Sequence, residues 1–190
     1  KQLKPTSIED LIAMNALYRP GPMANIPEFI ARKKGESKID FMHPLLEPIL
    51  KETNGIIVYQ EQVMQISQVI GGLTLAQGDM MRRAMGKKKA SLMATFKIDF
   101  VDGAIKQNID KKCASEIFEL LEKFAQYGFN KSHSTAYAIV AYQTAWLKSH
   151  YPAEYLSANM TSVISKTDDV VRLIHEARDM GINAVLPDVN

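Results

Sequence analysis

Cysteine is nearly absent from this 190-residue chain, and Cys113 stands alone. That excludes an internal disulfide framework and a Cys-rich zinc site. An excess of one charge is also lacking: 23 Lys and Arg face 21 Asp and Glu, a net of +2. A generally sticky polycation is therefore not expected, although a local basic patch can still form a confined anion site. No apolar run approaches the roughly 18 residues that a membrane-spanning helix needs, so a cytoplasmic protein without membrane contact is expected. Histidine is scarce, with four in all, and His43 has no second ligand at metal spacing. Internal repeats, low-complexity tracts and flexible linkers are missing too.

What is present suits a folded body. Hydrophobic residues make up 46% and charged residues 23%, ordinary for a globular domain. A chain of this size buries roughly 70% of its unfolded surface, so it needs no covalent staples. It opens on Lys1-Gln2-Leu3 without Met and stops soon after Leu186-Pro187. We expect residues 1–190 to be a piece of something larger.

Helical spacing dominates the pattern, and the expected fold is all-α, about eight helices in one body. At most a short extended segment is expected near 56–59, where Ile56-Ile57-Val58-Tyr59 is β-branched. Thr6 and Glu9 read as a capping box for a helix ending at Leu17. Tyr18-Arg19-Pro20-Gly21-Pro22 breaks it. Short helices follow from Pro27 and from His43-Pro44, the latter closed by Asn54-Gly55. Val63, Ile66, Val69 and Ile70 stripe a helix from Gln60 to Ile70. The next, Leu75 to Met85, should turn Met80 and Met81 inward, with Gly86 as its cap. Ser91 and Asp110 should cap two long helices. Thr135 to Tyr151 is apolar nearly all round, which predicts a central buried helix. Pro152 and Thr167-Asp168-Asp169 should start the last two.

Two stretches carry chemistry. Arg82-Arg83-Ala84-Met85-Gly86-Lys87-Lys88-Lys89 holds five basic residues in eight. It reads either as a confined anion site or as a helix end complementing its dipole beside a solvated face. Tyr127-Gly128-Phe129-Asn130-Lys131-Ser132-His133-Ser134 gathers a glycine, an amide, an ammonium, two hydroxyls and an imidazole. That donor set suits a phosphate-bearing ligand. The alternative is a helix stop at Gly128 and a helix start at Ser132 or Ser134.

Other chemistries find no footing. His133 and its neighbouring serines are too close in sequence for a nucleophilic triad. The glycines between Gly78 and Gly86-Lys87 are too far apart for a P-loop, and a lysine stands where the hydroxyl should be. Asp168/Asp169 reads as capping, and nothing marks Asp99/Asp102 as a two-metal site. What remains is anion recognition without a catalytic acid or metal of its own. Arginine forks suit bidentate phosphate contacts, and phosphoryl transfer depends on such positioning.

Five blocks in order resemble a known family: Ala16-Leu17-Tyr18-Arg19-Pro20-Gly21-Pro22-Met23, Val58-Tyr59-Gln60-Glu61-Gln62-Val63-Met64, Arg82 to Lys88, Tyr127 to Ser134, and Tyr142-Gln143-Thr144-Ala145-Trp146-Leu147-Lys148. The family is that of C-family bacterial replicative DNA polymerases, the polymerase III alpha subunits, and the likeness is to their fingers region across nearly the whole chain. It implies a DNA-directed DNA polymerase in which this part binds the incoming dNTP and template-primer DNA. It implies nucleotide contacts from Arg82, Arg83, Lys87, Asn130, Lys131, Ser132, His133 and Ser134, and DNA contacts from Arg19, Lys88 and Lys89. No catalytic or metal-binding residue is expected in residues 1–190. Mg2+ belongs to a palm domain of the same chain that precedes Lys1 in the family, so the piece alone should be inactive. Helix-hairpin-helix and clamp-binding regions should follow, making the sliding clamp and other holoenzyme subunits partners through those regions. His133 or its neighbours are expected to crowd the sugar against ribonucleotides. A non-enzymatic helical module gripping nucleic-acid backbone remains the rival from another class.

Overall fold

In the computed structural model, residues 2–87, 90–125 and 127–185 are described, and among them lie ten α-helices and no strand. The all-α expectation holds, with two more helices than counted from periodicity. Helix α1 (Ile8–Leu17) is capped by Ser7, one residue later than expected. Asp10 rather than Glu9 reaches back, because its carboxylate accepts from the N–H groups of Thr6 and Ser7 at 2.8 and 3.2 Å while Lys33 neutralises it at 2.7 Å. Gly21, at φ +98°, turns the chain between its two prolines towards α2 (Ile26–Lys33). His43 accepts from the Leu45 N–H and so caps the turn into α3 (Glu47–Leu50), as expected. Asn54 and Gly55 are both left-handed and end that region.

Ile56 to Tyr59 are extended and buried but belong to no sheet. Tyr59 makes a single parallel bridge to Phe129. Helices α4 (Gln60–Val69) and α5 (Leu75–Gly86) are joined by a tight turn and pack side by side. A methyl group on Gly78 would touch the Met64 backbone at 3.4 Å, so this glycine marks a close approach of the two helices. Met81 faces the core, but Met80 is 54% exposed and does not. The two are adjacent, so one helix stripe cannot bury both. Gly86 is the last helical residue, with Lys87 in the cap position.

Helix α6 (Ala90–Lys106) is already under way at Ser91, which is therefore not its cap. Asp110 caps α7 (Lys111–Ala125), accepting from the N–H groups of Lys112 and Cys113. The core of α3 to α7 is a continuous apolar cluster that includes the tilted ring pair Phe100–Phe118. A second cluster joins α1, α2, Ile56, Val58 and Tyr59 to Ala138.

Helix α8 (Lys131–His150) starts four residues earlier than expected and is not centrally buried. Ser134 and Ala138, one turn apart, face inward, whereas Tyr137, Val140, Tyr142 and Leu147 are exposed. Only its first two turns therefore have a core to meet. Helices α9 (Pro152–Ser162) and α10 (Thr167–Asp179) follow, and Gly181 is left-handed after the last. Lys166, not Thr167, occupies the cap position of α10. The chain divides into two compact units, Lys1–Ala138 and Ile139–Asn190. Among the described residues no helix is long and apolar enough to cross a membrane.

Candidate functional site

The loop between α7 and α8 is fixed by backbone pairing. Phe129 N–H donates to the Val58 carbonyl at 3.0 Å, and Gln60 N–H donates to the Phe129 carbonyl at 2.9 Å. The Gln60 side chain donates to the Gly128 carbonyl at 3.0 Å. Gly128 is not a left-handed helix stop. It is needed for close approach, since a Cβ there would stand 3.2 Å from Gln60 Cγ. Asn130 is the cap that periodicity assigned to a serine. Its Oδ1 accepts from the His133 N–H at 2.8 Å, and its Nδ2 donates to Glu61 at 3.2 Å.

The predicted donors then part company. Ser134 is wholly buried; its hydroxyl donates to the Ile12 carbonyl at 2.6 Å and accepts from Asn15 at 3.3 Å. It anchors α8 to α1 and offers no hydroxyl to a ligand. The Lys131 N–H donates to both Glu61 oxygens, and its ammonium sits on Glu52 at 2.7 and 2.9 Å. Ser132 and His133 are exposed. The His133 ring lies edge-on to Phe129, centroids 5.4 Å apart, and 4.7 Å from Tyr137.

Glu52, Glu61 and Glu9 surround the same spot. With burial as the larger cause, they push the Tyr59 hydroxyl far above its ordinary value, so it stays protonated and neutral. The neighbourhood of Lys131 is thus more acidic than its sequence suggested.

Arg19, expected on DNA, is half-buried. It donates to the carbonyls of Ala16 at 2.9 Å and Tyr127 at 2.8 Å, and lies 4.3 Å over the Phe129 ring. Burial lowers its pKa from the ordinary value, yet an arginine stays charged. Its role here is to hold the loop.

Arg82 and Arg83 sit near the end of α5 and share one carboxylate, Asp79. Lys87 is exposed just beyond. Lys88 and Lys89 lie outside the described residues. Helix α5 packs on α4, whose first residue, Gln60, is tied to Phe129. Sequence reasoning missed Asp79, Glu52, Glu61 and Gln60. The i,i+3 and i,i+4 spacing of Asp79 to the arginines was a readable signal. Glu52 and Lys131, 79 residues apart, gave none. Among the described residues no group of three or more His, Cys, Asp or Glu side chains could hold a metal ion.

Comparison with known proteins agrees with the pattern. Residues 1–108 match the finger domain of the bacterial DNA polymerase III alpha subunit. That range contains Arg82, Arg83 and Lys87, and the loop lies beyond it. The whole chain is 55% identical to DNA polymerase III subunit alpha of Borreliella burgdorferi and 53% identical to that of Treponema pallidum. Over 97% of the chain, identity to the Neisseria meningitidis subunit is 54%. The chain spans only 17%, 16% and 16% of these three relatives.

Proposed function

Because the chain belongs to the finger domains of bacterial DNA polymerase III alpha subunits, we propose that it grips the triphosphate of an incoming deoxynucleotide and helps hold template-primer DNA during templated synthesis. The observation that carries this reading is the pair of arginine forks on α5, the helix packed against α4, whose first residue is bonded to the loop. Cationic forks and an exposed imidazole suit a ligand with phosphate at one end and a sugar at the other.

Arg82 and Arg83 take the phosphates, with Lys87 beside them. Lys131 joins when its ammonium exchanges Glu52 for a phosphate. Ser132 and His133 meet the sugar, and His133, held between Phe129 and Tyr137, crowds a 2′-hydroxyl. Asn130 and Ser134 serve from behind by capping and anchoring α8. Lys88 and Lys89 lie on DNA backbone. Arg19 holds the loop.

We assign Mg2+ binding to a palm domain elsewhere in the full-length polymerase. The sliding clamp and other holoenzyme subunits also engage other parts, in a bacterial cytoplasm. We therefore expect no nucleotide incorporation by residues 1–190 alone with Mg2+ and primed template.

The test is steady-state incorporation by the full-length enzyme. Arg82→Ala and Arg83→Ala should each raise the KM for dNTP roughly 10- to 100-fold, the scale of losing a charge-assisted contact. Primer-template affinity should stay near that of the parent. Weakened DNA binding with unchanged nucleotide KM would move these residues to the template. Ribonucleotide discrimination should fall in His133→Ala; unchanged discrimination in both His133→Ala and Ser132→Ala would sink the sugar contact.

A further inference from the structure

We propose that Asp79 is a positioning residue that yokes Arg82 and Arg83 into one two-forked cradle for adjacent phosphate groups. The proposal deepens the reading above and rests on it, since it needs both arginines to hold the triphosphate.

Adjacent residues on an α-helix point about 100° apart, and two neighbouring guanidiniums repel. Left to themselves, Arg82 and Arg83 would splay. Asp79 lies three residues before one and four before the other, on the face both can reach. Its two oxygens divide the work. Oδ1 accepts from Nε and Nη2 of Arg82 at 3.2 and 2.7 Å. Oδ2 lies 2.8 Å from Nε of Arg83. Arg83 is therefore held by the nitrogen nearest its backbone. That ties the base of the planar group to Asp79. Arg82 is held along one edge and keeps Nη1 on the other side.

An ion pair this exposed contributes little to stability, for the Arg83 side chain is 67% accessible and that of Asp79 31%. Stability alone does not account for three contacts converging on one carboxylate. Orientation does: a planar fork matches phosphate only when its plane and direction are set beforehand. The trio also keeps a net charge of +1, so the cradle remains attractive to an anion while its two cations are kept from diverging. The ligand class is a nucleotide with at least two consecutive phosphates.

The experiment uses the full-length polymerase with Asp79→Asn, Asp79→Glu, Arg82→Ala, Arg83→Ala and the double variant Asp79→Asn/Arg83→Ala. KM and kcat for single-nucleotide incorporation, primer-template Kd and Tm are measured for each. Asp79→Asn should raise the KM for dNTP about ten-fold, the scale of misaligning one charge-assisted fork. Its kcat, DNA affinity and Tm should stay close to the parent. Asp79→Glu keeps the carboxylate and should recover most of the loss. The double variant should lose less than the product of the two single losses, as residues acting as a unit do. If the arginine variants raise KM while Asp79→Asn leaves it unchanged or lowers it, the yoke is overturned and the arginine grip stands. If both arginine variants leave KM unchanged, the grip itself fails and the yoke with it.

Discussion

Gln62 is fully buried, and its one amide makes four hydrogen bonds. Its oxygen accepts from the N–H groups of Val58 and Tyr59 at 2.8 and 3.0 Å; its nitrogen donates to the Ile49 carbonyl at 3.1 Å and to the Thr53 hydroxyl at 2.9 Å. A buried extended segment normally finds these partners in a sheet. Here a side chain supplies them, which is why Ile56 to Tyr59 stay extended without a strand beside them. Gln62→Ala strips four partners at once and should cost about 3 kcal/mol in urea denaturation. Asp10 poses a pH question. Burial alone would raise its pKa, but the hydrogen bonds from Lys33, Thr6 and Ser7, with the charge of Lys33, outweigh that and leave it lowered. A lowered folded pKa gives stability that is fully present above the ordinary carboxylate value of about 4 and lost as pH falls through the folded value. Asp10→Asn should therefore lower Tm at neutral pH and flatten the acid limb below about pH 4, read from Tm against pH. The arginines of the candidate site were legible as a charge run in the sequence. Gln62 was not, because its worth lies in four partners that only folding gathers.

Helix identities were legible because most carry a plain 3.6-residue stripe, as Val63 and Ile66 in α4 and Ile70 at its cap do. Caps were less so, since Ser7 and Asn130 each stand near rivals of equal capping chemistry and tertiary partners decide between them. Helix α8 misled for another reason: apolar residues all round promise burial only if neighbours surround the helix, and here they meet its first turns. Where α6 crosses the turn after α4, a Cβ on Gly103 would sit 1.8 Å from the Gly71 carbonyl oxygen. No rotamer relieves a clash with backbone. Gly103→Ala should force α6 away from that turn and cost at least about 3 kcal/mol. Gly86 has an ordinary φ and nothing within 4 Å of its would-be Cβ. Gly86→Ala should be neutral or stabilising by up to about 1 kcal/mol. Parallel denaturation curves of the two variants test the contrast.

At the scale of the molecule, the first unit holds both apolar clusters, while among the described residues of the second only Leu156 and Ala177 are buried apolar side chains. Opening free energy follows buried contact. Amide hydrogen exchange should leave α4 and α7 protected roughly 100-fold or more above α9 and α10. Equal protection would overturn this division of stability. This division was not legible in the sequence, because both units are helical and no linker separates them. The chain's one tryptophan, Trp146, lies in the second unit, stacked on His150 at 4.4 Å and beside Tyr151. Its emission is thus set by one turn of α8. An optical melt followed through that indole would be blind to the rings of Phe100 and Phe118, and its midpoint would belong to the smaller unit.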